Sequence, residues 1–462
     1  MDNSNNALHE MDKLPVSRAV RMNVVPAVLT MLMSLVYNMA DKVFIRMAGN
    51  DYMVATVTLA MPVFVLFTSF GNIFGTGGVS LISKFTGLGK PKERDKTSSF
   101  CLYGAAGIGV ILMIILLAFK TPIVRMLGAN NPATIGFARD YLEYIAISCP
   151  FAILSQTISS LVRADGKPNL SMIGMVLGNV MNIILDPIFI LGLGMGTKGA
   201  AIATMLGQIG SAVFYLICIL KKKCTLNFRI KDLELKSRIA WQVIAIGTPA
   251  ALGSIFQSVC NILMNNRMAV YGDIAVAGLG ASQNIVTIIC IFSIGVGMGI
   301  QPLIGYQMGT KNKERFKSIV QYSIKLTLIC CLSLTALCYI FTKPVVMAFV
   351  SGQEATALGV SLARIVMSTA WLYAVFTVIA LILQAMGESV SSLVVTMSRN
   401  GYIYMPVLFI MSAAAGMYGV AWAYPISDVI CIIIAIYAVV RAGKKAFPVL
   451  QNKEVEEKIT AI

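Results

Sequence analysis

Three carboxylates lie deep within otherwise apolar stretches of the sequence, at Asp41, Asp186 and Asp428. An ionised group in hydrocarbon is costly, so a carboxylate at such a depth usually faces a cavity or a partner and is functional by default. A carboxylate can bind a cation or carry a proton. The sequence therefore predicts ion or proton binding inside a membrane, and the helices that carry these residues decide which of them can act together.

Two of these carboxylates are predicted to lie at one depth. A helix rises about 1.5 Å per residue, and Asp41 and Asp186 lie about 19 and about 17 residues from the cytoplasmic starts of their helices. Thr204 lies about five residues from the outer end of the next helix, at a similar height. One helical turn below these three positions are further polar side chains on the same helical faces: Tyr37, Asn182 and Gln208.

This oxygen-rich set has more than one interpretation, and the sequence leaves them open. Hard oxygen ligands suit a small cation such as Na⁺. Two close carboxylates can instead share a proton, because their negative charges repel each other. A third interpretation is structural: Lys42 neutralises Asp41, and both side chains extend to the outer interface of the membrane.

The composition predicts an all-α integral membrane protein. Apolar residues make up 57% of the chain and charged residues only 13%, which is more apolar than a soluble core requires. The polar N-terminus lacks the features of a cleavable signal peptide, so the first apolar stretch is expected to remain as a span. We predict twelve spans, over residues 22–46, 54–84, 98–119, 137–161, 169–194, 199–220, 239–269, 276–307, 318–341, 356–385, 391–413 and 418–440.

The chain contains two similar halves. Residues 26–38 resemble residues 249–261, and the small residues of 199–203 recur at 419–423 with nearly the same offset. In a membrane protein, such a repeat indicates a transporter with its substrate path between the halves. We therefore predict four segments: an N-terminal lobe over 1–220, a cytoplasmic linker over 221–238, a C-terminal lobe over 239–440 and a cytoplasmic tail over 441–462.

The net charge of +16 is distributed asymmetrically. Lys and Arg gather at the N-terminus, in alternate loops and in the tail, whereas the remaining loops hold few. This positive-inside pattern predicts that both termini are cytoplasmic. The basic face is expected to contact anionic lipid headgroups of the membrane, and nucleic acid is not an expected partner.

Residue types and spacing exclude other kinds of chemistry. The ten cysteines are scattered without a C-x-x-C pair and resemble apolar packing residues. The single histidine, His9, lies in a polar tail, which excludes a histidine relay within the spans. No Walker loop is present, so the chain is not expected to hydrolyse ATP. We predict a protein that is not an enzyme, has no cofactor and draws active transport from an ion gradient.

Four longer motifs make the resemblance to a known family specific. They are RADGKP at 163–168, GNVMNIILDPIFI at 178–190, GAAIAT at 199–204 and GIQPLIGYQMG at 299–309. Together with the twelve-span layout, they resemble the multidrug and toxic compound extrusion (MATE) family along the whole chain. The Gln-Pro-x-x-Gly-Tyr form is similar to the branch that contains the staphylococcal and clostridial drug exporters.

The resemblance implies two pseudo-symmetric six-helix lobes around a central cleft that opens alternately to the cytoplasm and the exterior. It implies export of small organic cations in exchange for H⁺ or Na⁺, by a monomer in the bacterial cytoplasmic membrane. Relatives with an ion site in the N-terminal lobe use residues that fall here on Asp41, Asn182, Asp186 and Thr204. The family also has a proline low in span 1, which is Pro26 here and an expected hinge, because proline removes a helical hydrogen bond.

The second half departs from those relatives that have an ion site there. Such relatives use carboxylates in spans 7 and 10, where this chain has amides and Arg364. Ion coupling is therefore expected in the first half alone. Asp428 is expected either to pair with Arg399 or Lys325, or to act as a counter-charge for a cationic substrate.

The substrate cavity is expected to be apolar, aromatic and adaptable, because thioethers repack around varied shapes and aromatic faces attract cations. Its predicted contacts are Tyr37, Met61, Gln156, Gln208, Gln257, Met264, Gln283 and Asp428. An alternative function is flipping of a lipid-linked oligosaccharide, as in the same superfamily, which requires cations for pyrophosphate. Arg364, Arg399 and Lys325 keep this alternative open. Repeated pore-loop motifs of a channel are absent from the sequence.

Overall fold

The computed structural model describes residues 7–48, 51–127, 131–221, 223–226, 229–234, 237–350 and 352–447. Within these ranges, all regular secondary structure is helical, without a β-strand. Large apolar side chains such as Ile114, Ile410 and Val429 are exposed on the outside of the bundle. Long helices with apolar outer faces are what the interior of a bilayer requires. The predicted fold class is therefore confirmed, whereas tail residues 448–462 and parts of the 221–238 linker lie outside the described residues.

Six helices of the first half are numbered here as spans 1 to 6. They are Val16–Met47, Asp51–Gly87, Pro91–Ala118, Pro132–Ala164, Pro168–Pro187 with its π-helical continuation Ile188–Gly192, and Gly196–Leu220. Three helices of the second half are numbered spans 7 to 9, and they are Arg238–Ala269, Asp273–Thr310 and Lys313–Ile340. All nine are long and apolar enough to cross a bilayer.

The remaining helices form three crossings, with one sharp bend inside span 10 and one turn between the last two spans. Span 10 consists of Gln353–Met367 and Ala370–Ala385, which meet at 47°. The last helical run, Ser389–Ala446, has 58 residues, although about 20 residues suffice to cross a bilayer. The run turns back at Gly416, where the φ angle of 56° favours glycine.

Two tyrosines show that this run is an antiparallel pair of spans. On one straight helix, Tyr404 and Tyr424 would lie about 30 Å apart, yet their ring centroids are 5.2 Å apart. The run therefore forms spans 11 and 12, which meet at the turn and contain the π-helical segment Ser398–Tyr402. With the bent span 10, the total reaches the twelve spans that the sequence predicts.

The two halves repeat small structural details as well as their spans. The short helix Lys120–Met126 follows the third span of the first half, and Thr342–Met347 follows the third span of the second half. A π-helical segment also ends span 5, at Ile188–Gly192, and interrupts span 11, at Ser398–Tyr402. The two lobes are therefore related as pseudo-symmetric copies.

The described inter-lobe contacts lie on the side of the bundle that holds the N-terminal helix Ala7–Lys13, called here the basal side. A Cβ atom at Gly247 of span 7 would lie 2.1 Å from the Ile73 carbonyl oxygen of span 2, so the two backbones are in contact. Ser80 Oγ donates to the Ala385 carbonyl oxygen at 3.0 Å. These contacts join the lobes on the basal side, and the opposite side of the bundle is called here the apical side.

The N-terminal helix Ala7–Lys13 bridges the two lobes across the basal side. It packs against the loop between spans 4 and 5 of the first lobe. On the second lobe, His9 Nδ1 lies 3.0 Å from the Tyr306 hydroxyl, and Asp12 Oδ1 lies 2.6 Å from Arg315 Nε. His9 is thus part of a docked helix at the basal side, away from the membrane interior.

Candidate functional site

The first lobe contains a cavity of about 260 Å³ between its spans. Span 1 is an unbroken helix from Val16 to Met47, so residues one turn apart present their side chains to the same cavity. Spans 2, 4, 5 and 6 complete the wall. The polar and methionine side chains that line it are Ser34, Tyr37, Asn38, Asp41, Met61, Thr68, Tyr141, Ser148, Ser155, Gln156, Met175, Asn179 and Gln208.

Asn182 connects Asp186 to Thr204 next to this cavity. The partners of an amide decide which of its ends is oxygen and which is nitrogen. In the orientation that satisfies both ends, Asn182 donates to Asp186 Oδ2 at 2.9 Å and accepts from Thr204 Oγ1 at 3.2 Å and Thr204 N at 3.0 Å. Asp186 is fully buried, and its Oδ1 atom has no hydrogen-bond partner within the described residues. This oxygen is the atom of Asp186 to which a cation or a proton would bind.

Asp41 reaches the same site from span 1. The Asp41 and Asp186 carboxylates are electrostatic neighbours, and both interact electrostatically with Tyr37, whose hydroxyl hydrogen-bonds the side chain of Thr204. Tyr141 of span 4 is an electrostatic neighbour of the same two carboxylates. The structure therefore brings together the residues that depth along the helices predicted. The side chain of Lys42, the alternative partner of Asp41, lies outside the described residues.

The possible ion ligands of this site are oxygen atoms, from the carboxylates of Asp41 and Asp186 and the hydroxyl groups of Tyr37 and Thr204. Hard oxygen ligands of this type bind alkali cations such as Na⁺. Two neighbouring carboxylates can instead bind one proton, because their like charges oppose double ionisation. Both candidate ions fit the residues, and each would neutralise negative charge in the first lobe.

The second lobe contains a cavity of about 330 Å³ with a different polarity. Its described wall holds neutral polar side chains and one cation, with no carboxylate: Gln257, Asn261, Gln283, Asn284, Thr287, Tyr373, Tyr424 and Arg399. Gln257 also lines a further cavity between the lobes.

Asp428 forms a buried ion pair with Arg399. Arg399 Nε lies 2.6 Å from Asp428 Oδ1, and the two side chains are only 5% and 3% exposed. Thr369 Oγ1 donates to Asp428 Oδ2 at 2.8 Å. The guanidinium also lies 4.7 to 5.2 Å from the centroids of three tyrosine rings, those of Tyr373, Tyr404 and Tyr424. Of the two partners expected for Asp428, Arg399 is the one present, whereas Lys325 is exposed.

Met264 is not a cavity contact, contrary to the expectation from the sequence. Its side chain is fully buried. The sulfur accepts from Gln283 Nε2 at 3.2 Å and from the Tyr424 hydroxyl at 2.8 Å. Gln283 and Tyr424 line the cavity, so these two side chains stand between Met264 and the cavity.

Pro26 lies inside span 1, which continues as one helix on both sides of it. Its carbonyl oxygen accepts from Thr30 Oγ1 at 2.8 Å. Pro26 also lines a basal groove of about 710 Å³ between span 1 and the start of span 5. The groove leaves space beside span 1, but a hinge motion at Pro26 stays a prediction.

A family comparison fits this two-lobed arrangement. The MatE family profile matches the chain twice, over residues 26–188 and 249–423. The chain belongs to the MatE family. Each match covers most of one lobe and begins at an equivalent proline, Pro26 or Pro249. As a member of the MatE family, the protein is a multi-pass membrane transporter and not an enzyme.

Similar proteins agree with membership of the MatE family. The multidrug export protein MepA of Staphylococcus aureus is 30% identical over 435 residues, which cover 94% of this chain and 95% of MepA. An outward-facing structure of a multidrug resistance MATE family transporter superposes with a TM-score of 0.90 at 22% identity, over 98% of this chain and all of that one. A transporter of the MOP superfamily from Pyrococcus furiosus superposes with a TM-score of 0.89 at 22% identity, over 96% and 99%.

Several polar residues of the MatE first-lobe cavity, among them Asn179 and Tyr141, were missed by the sequence reasoning. Asn179 lines the cavity and donates from Nδ2 to Ser34 Oγ at 3.2 Å. It lies three residues before Asn182 in the motif 178–190, so the helical repeat could have identified it. Tyr141 lies near the outer end of the predicted fourth span, where the same depth count that selected Thr204 applies.

Proposed function

We propose that this protein is a secondary active multidrug efflux antiporter. It exports small organic cations in exchange for inward H⁺ or Na⁺ and requires no cofactor. Membership of the MatE family and the export function named for MepA support this assignment. The single observation that carries the choice of coupling site is that the carboxylates of Asp41 and Asp186 are electrostatic neighbours in the first lobe.

The mechanism uses the charge of this carboxylate pair. When an ion or proton binds from the apical side, it removes negative charge from the first lobe and lowers the affinity of the lobe for a cationic drug. The drug leaves, the carrier reorients, and loss of the ion on the basal side restores the charge. Coupling arises because ion and drug bias the same two-state equilibrium in opposite directions.

We also propose an orientation and a location. The basal side is the cytoplasmic side, because the N-terminus, the linker and the tail are basic. The protein then resides as a monomer in the bacterial cytoplasmic membrane, with both termini inside, and its basic face contacts anionic lipid headgroups. Labelling of single cysteines introduced at Lys13 and Lys198 with a membrane-impermeant thiol reagent tests this orientation. Reaction at residue 13 from outside intact cells would reverse it.

The experiment that tests antiport is transport by purified protein in sealed proteoliposomes. Ethidium movement is followed by fluorescence while a pH gradient and a Na⁺ gradient are imposed separately. We expect one of the two gradients to accelerate ethidium transport, and an ionophore that collapses that gradient to remove the acceleration. Ethidium transport at one rate under both gradients and under neither would contradict an antiporter.

The flippase alternative is not favoured by the charge distribution of the second lobe. A lipid pyrophosphate requires several cations that converge on one cavity. Arg399 is paired with Asp428, whereas Arg364 and Lys325 are exposed outside that cavity. Ethidium efflux from cells that overexpress the chain separates the two functions, because a flippase would leave the efflux rate unchanged.

A further inference from the structure

Arg163 occupies an unusual place at the basal end of span 4. It belongs to the motif RADGKP, which plays no part in the proposed antiport mechanism. The side chain is only 5% exposed, and it lines a cavity of about 290 Å³ between the lobes, together with Asn72 of the first lobe and Gln257 of the second. The cavity therefore presents a buried cation at the bottom of the cleft.

Serine hydroxyls satisfy only part of the guanidinium. Arg163 Nη1 donates to Ser159 Oγ at 3.0 Å and to Ser171 Oγ at 3.1 Å, and Nη2 donates to Ser160 Oγ at 2.8 Å. A guanidinium has five N–H groups, so these bonds leave Nε–H and one N–H of Nη2. Nε has no hydrogen-bond partner within the described residues. Nε and Nη2 form one edge of the group, the edge that an oxyanion can engage with two parallel bonds.

No described carboxylate lies within 4.0 Å of the Arg163 guanidinium, as a salt bridge would require. The nearest acid in the sequence, Asp165, accepts from the Thr225 backbone N–H at 2.8 Å and lies 3.6 Å from Lys167 Nζ. Arginine stays protonated in proteins. A buried charge without a partner is costly and marks a functional site by default.

We propose that the cavity between the lobes binds a small monovalent anionic group at the Nε–Nη2 edge of Arg163. The group is the carboxylate of an amphoteric aromatic cargo or a free anion such as chloride. An aromatic cargo would stack on Tyr373 and Phe376, whose rings lie parallel within 22° and 6.3 Å apart in the same wall. Neutral amides of Gln301 and Gln384 complete a wall that carries no competing negative charge.

This site differs in polarity from the acidic site of the first lobe. Gln156 lines the first-lobe cavity, whereas Ser160, one turn further along span 4, lines the cavity of Arg163. Span 4 therefore contributes both to a cavity whose carboxylates repel anions and, nearer its basal end, to a cavity whose arginine attracts them. The cargo form of the proposal rests on the proposed export function, but the binding test below needs neither an ion gradient nor transport.

The test measures equilibrium binding to the purified full chain in phosphatidylcholine nanodiscs. Two dyes with the same cationic xanthene are compared by fluorescence anisotropy: rhodamine 110, which has a free carboxylate, and rhodamine 123, its methyl ester. A charge-assisted hydrogen-bond pair corresponds to about a ten- to hundredfold preference for the carboxylate. We expect that preference in the wild type, its loss in Arg163→Gln and its retention in Arg125→Gln, which removes an exposed arginine.

Arg163→Lys serves as a second variant should Arg163→Gln fail to fold. It keeps the charge but lacks the two-bond edge, so we expect most of the preference to disappear. Replacing isethionate by chloride at constant ionic strength identifies the source of the anion. A site open to free anions is supported if chloride weakens rhodamine 110 binding or raises thermal stability in the wild type but has neither effect in the Arg163 variants.

Equal affinity for the two dyes in the wild type, together with no Arg163-dependent chloride effect, would overturn the proposal. A carboxylate preference that survives unchanged in the Arg163 variants would overturn it as well. A failure of gradient-driven ethidium transport would instead contradict the antiporter alone, so the two proposals can fail independently.

Discussion

Replacing Asp428 with asparagine is expected to weaken the fold of the second lobe. Asparagine retains the size of the side chain and a carbonyl oxygen for Thr369, but it leaves the Arg399 guanidinium buried without its charge partner. Breaking a buried pair in this way costs about 3–5 kcal/mol. The rings of Tyr373, Tyr404 and Tyr424 continue to face the guanidinium and retain a favourable cation–π interaction. We therefore expect a loss near the lower limit, about 3 kcal/mol.

The free energy of unfolding can be measured by denaturant titration in detergent micelles, with helical circular dichroism as the signal. Asp140→Asn is the matched control, since Asp140 is exposed and its replacement is expected to change the unfolding free energy by less than about 0.5 kcal/mol. The double variant Asp428→Leu with Arg399→Met removes both charges together. It is expected to recover most of the loss, because no unpaired charge remains buried.

One pattern of results would refute this reasoning. If Asp428→Asn unfolded at the same denaturant concentration as the wild type, the ion pair would not support the fold. If that variant also bound ethidium at least tenfold more weakly, Asp428 would be a counter-charge for the cationic substrate, which was the other expectation from the sequence.

Three further predictions concern the basal contacts and the last turn. Asp12→Asn removes the ion pair with Arg315, so hydrogen exchange in residues 7–13 should accelerate severalfold; unchanged exchange would show that the helix docks without this pair. Gly247→Leu places atoms against the Ile73 carbonyl and should lengthen spin-label distances across the basal side; unaltered distances would contradict close contact there. Gly416→Ala forces a side chain into a positive φ angle and should cost about 1–3 kcal/mol of unfolding free energy, and a neutral effect would argue against this turn.

The sequence predicted the spans better than their ends. Apolar length and the internal repeat were sufficient for twelve crossings, and the predicted gap between residues 413 and 418 contains the turn at Gly416. Span 1, however, begins at Val16 rather than near residue 22. The extra residues include Arg18 and Arg21, whose charges end the apolar stretch in the sequence, whereas the helix itself continues toward the N-terminal helix. Hydropathy does not detect such an extension.

The site was predictable to the extent that it depends on depth along each helix. Asp41, Asp186 and Thr204 were selected by depth, and the structure places them around one site. Met264 was misassigned because depth does not determine which face of a helix points to a cavity, and Gln283 covers it. The environment of Arg163 could not be derived either, since its serine partners lie on spans 4 and 5 and their packing angle is not encoded in local periodicity.

The most direct test of the coupling claim is gradient-driven ethidium transport by Asp186→Asn in proteoliposomes. A unit charge about 4 Å from a bound cation contributes about 4 kcal/mol at an effective dielectric constant of 20, so its loss should weaken ion binding by up to roughly a thousandfold. We predict that neither a pH gradient nor a Na⁺ gradient accelerates ethidium transport by this variant, whereas Asp140→Asn responds as the wild type does. Gradient-coupled transport at the wild-type rate by a folded Asp186→Asn protein would contradict the proposed mechanism.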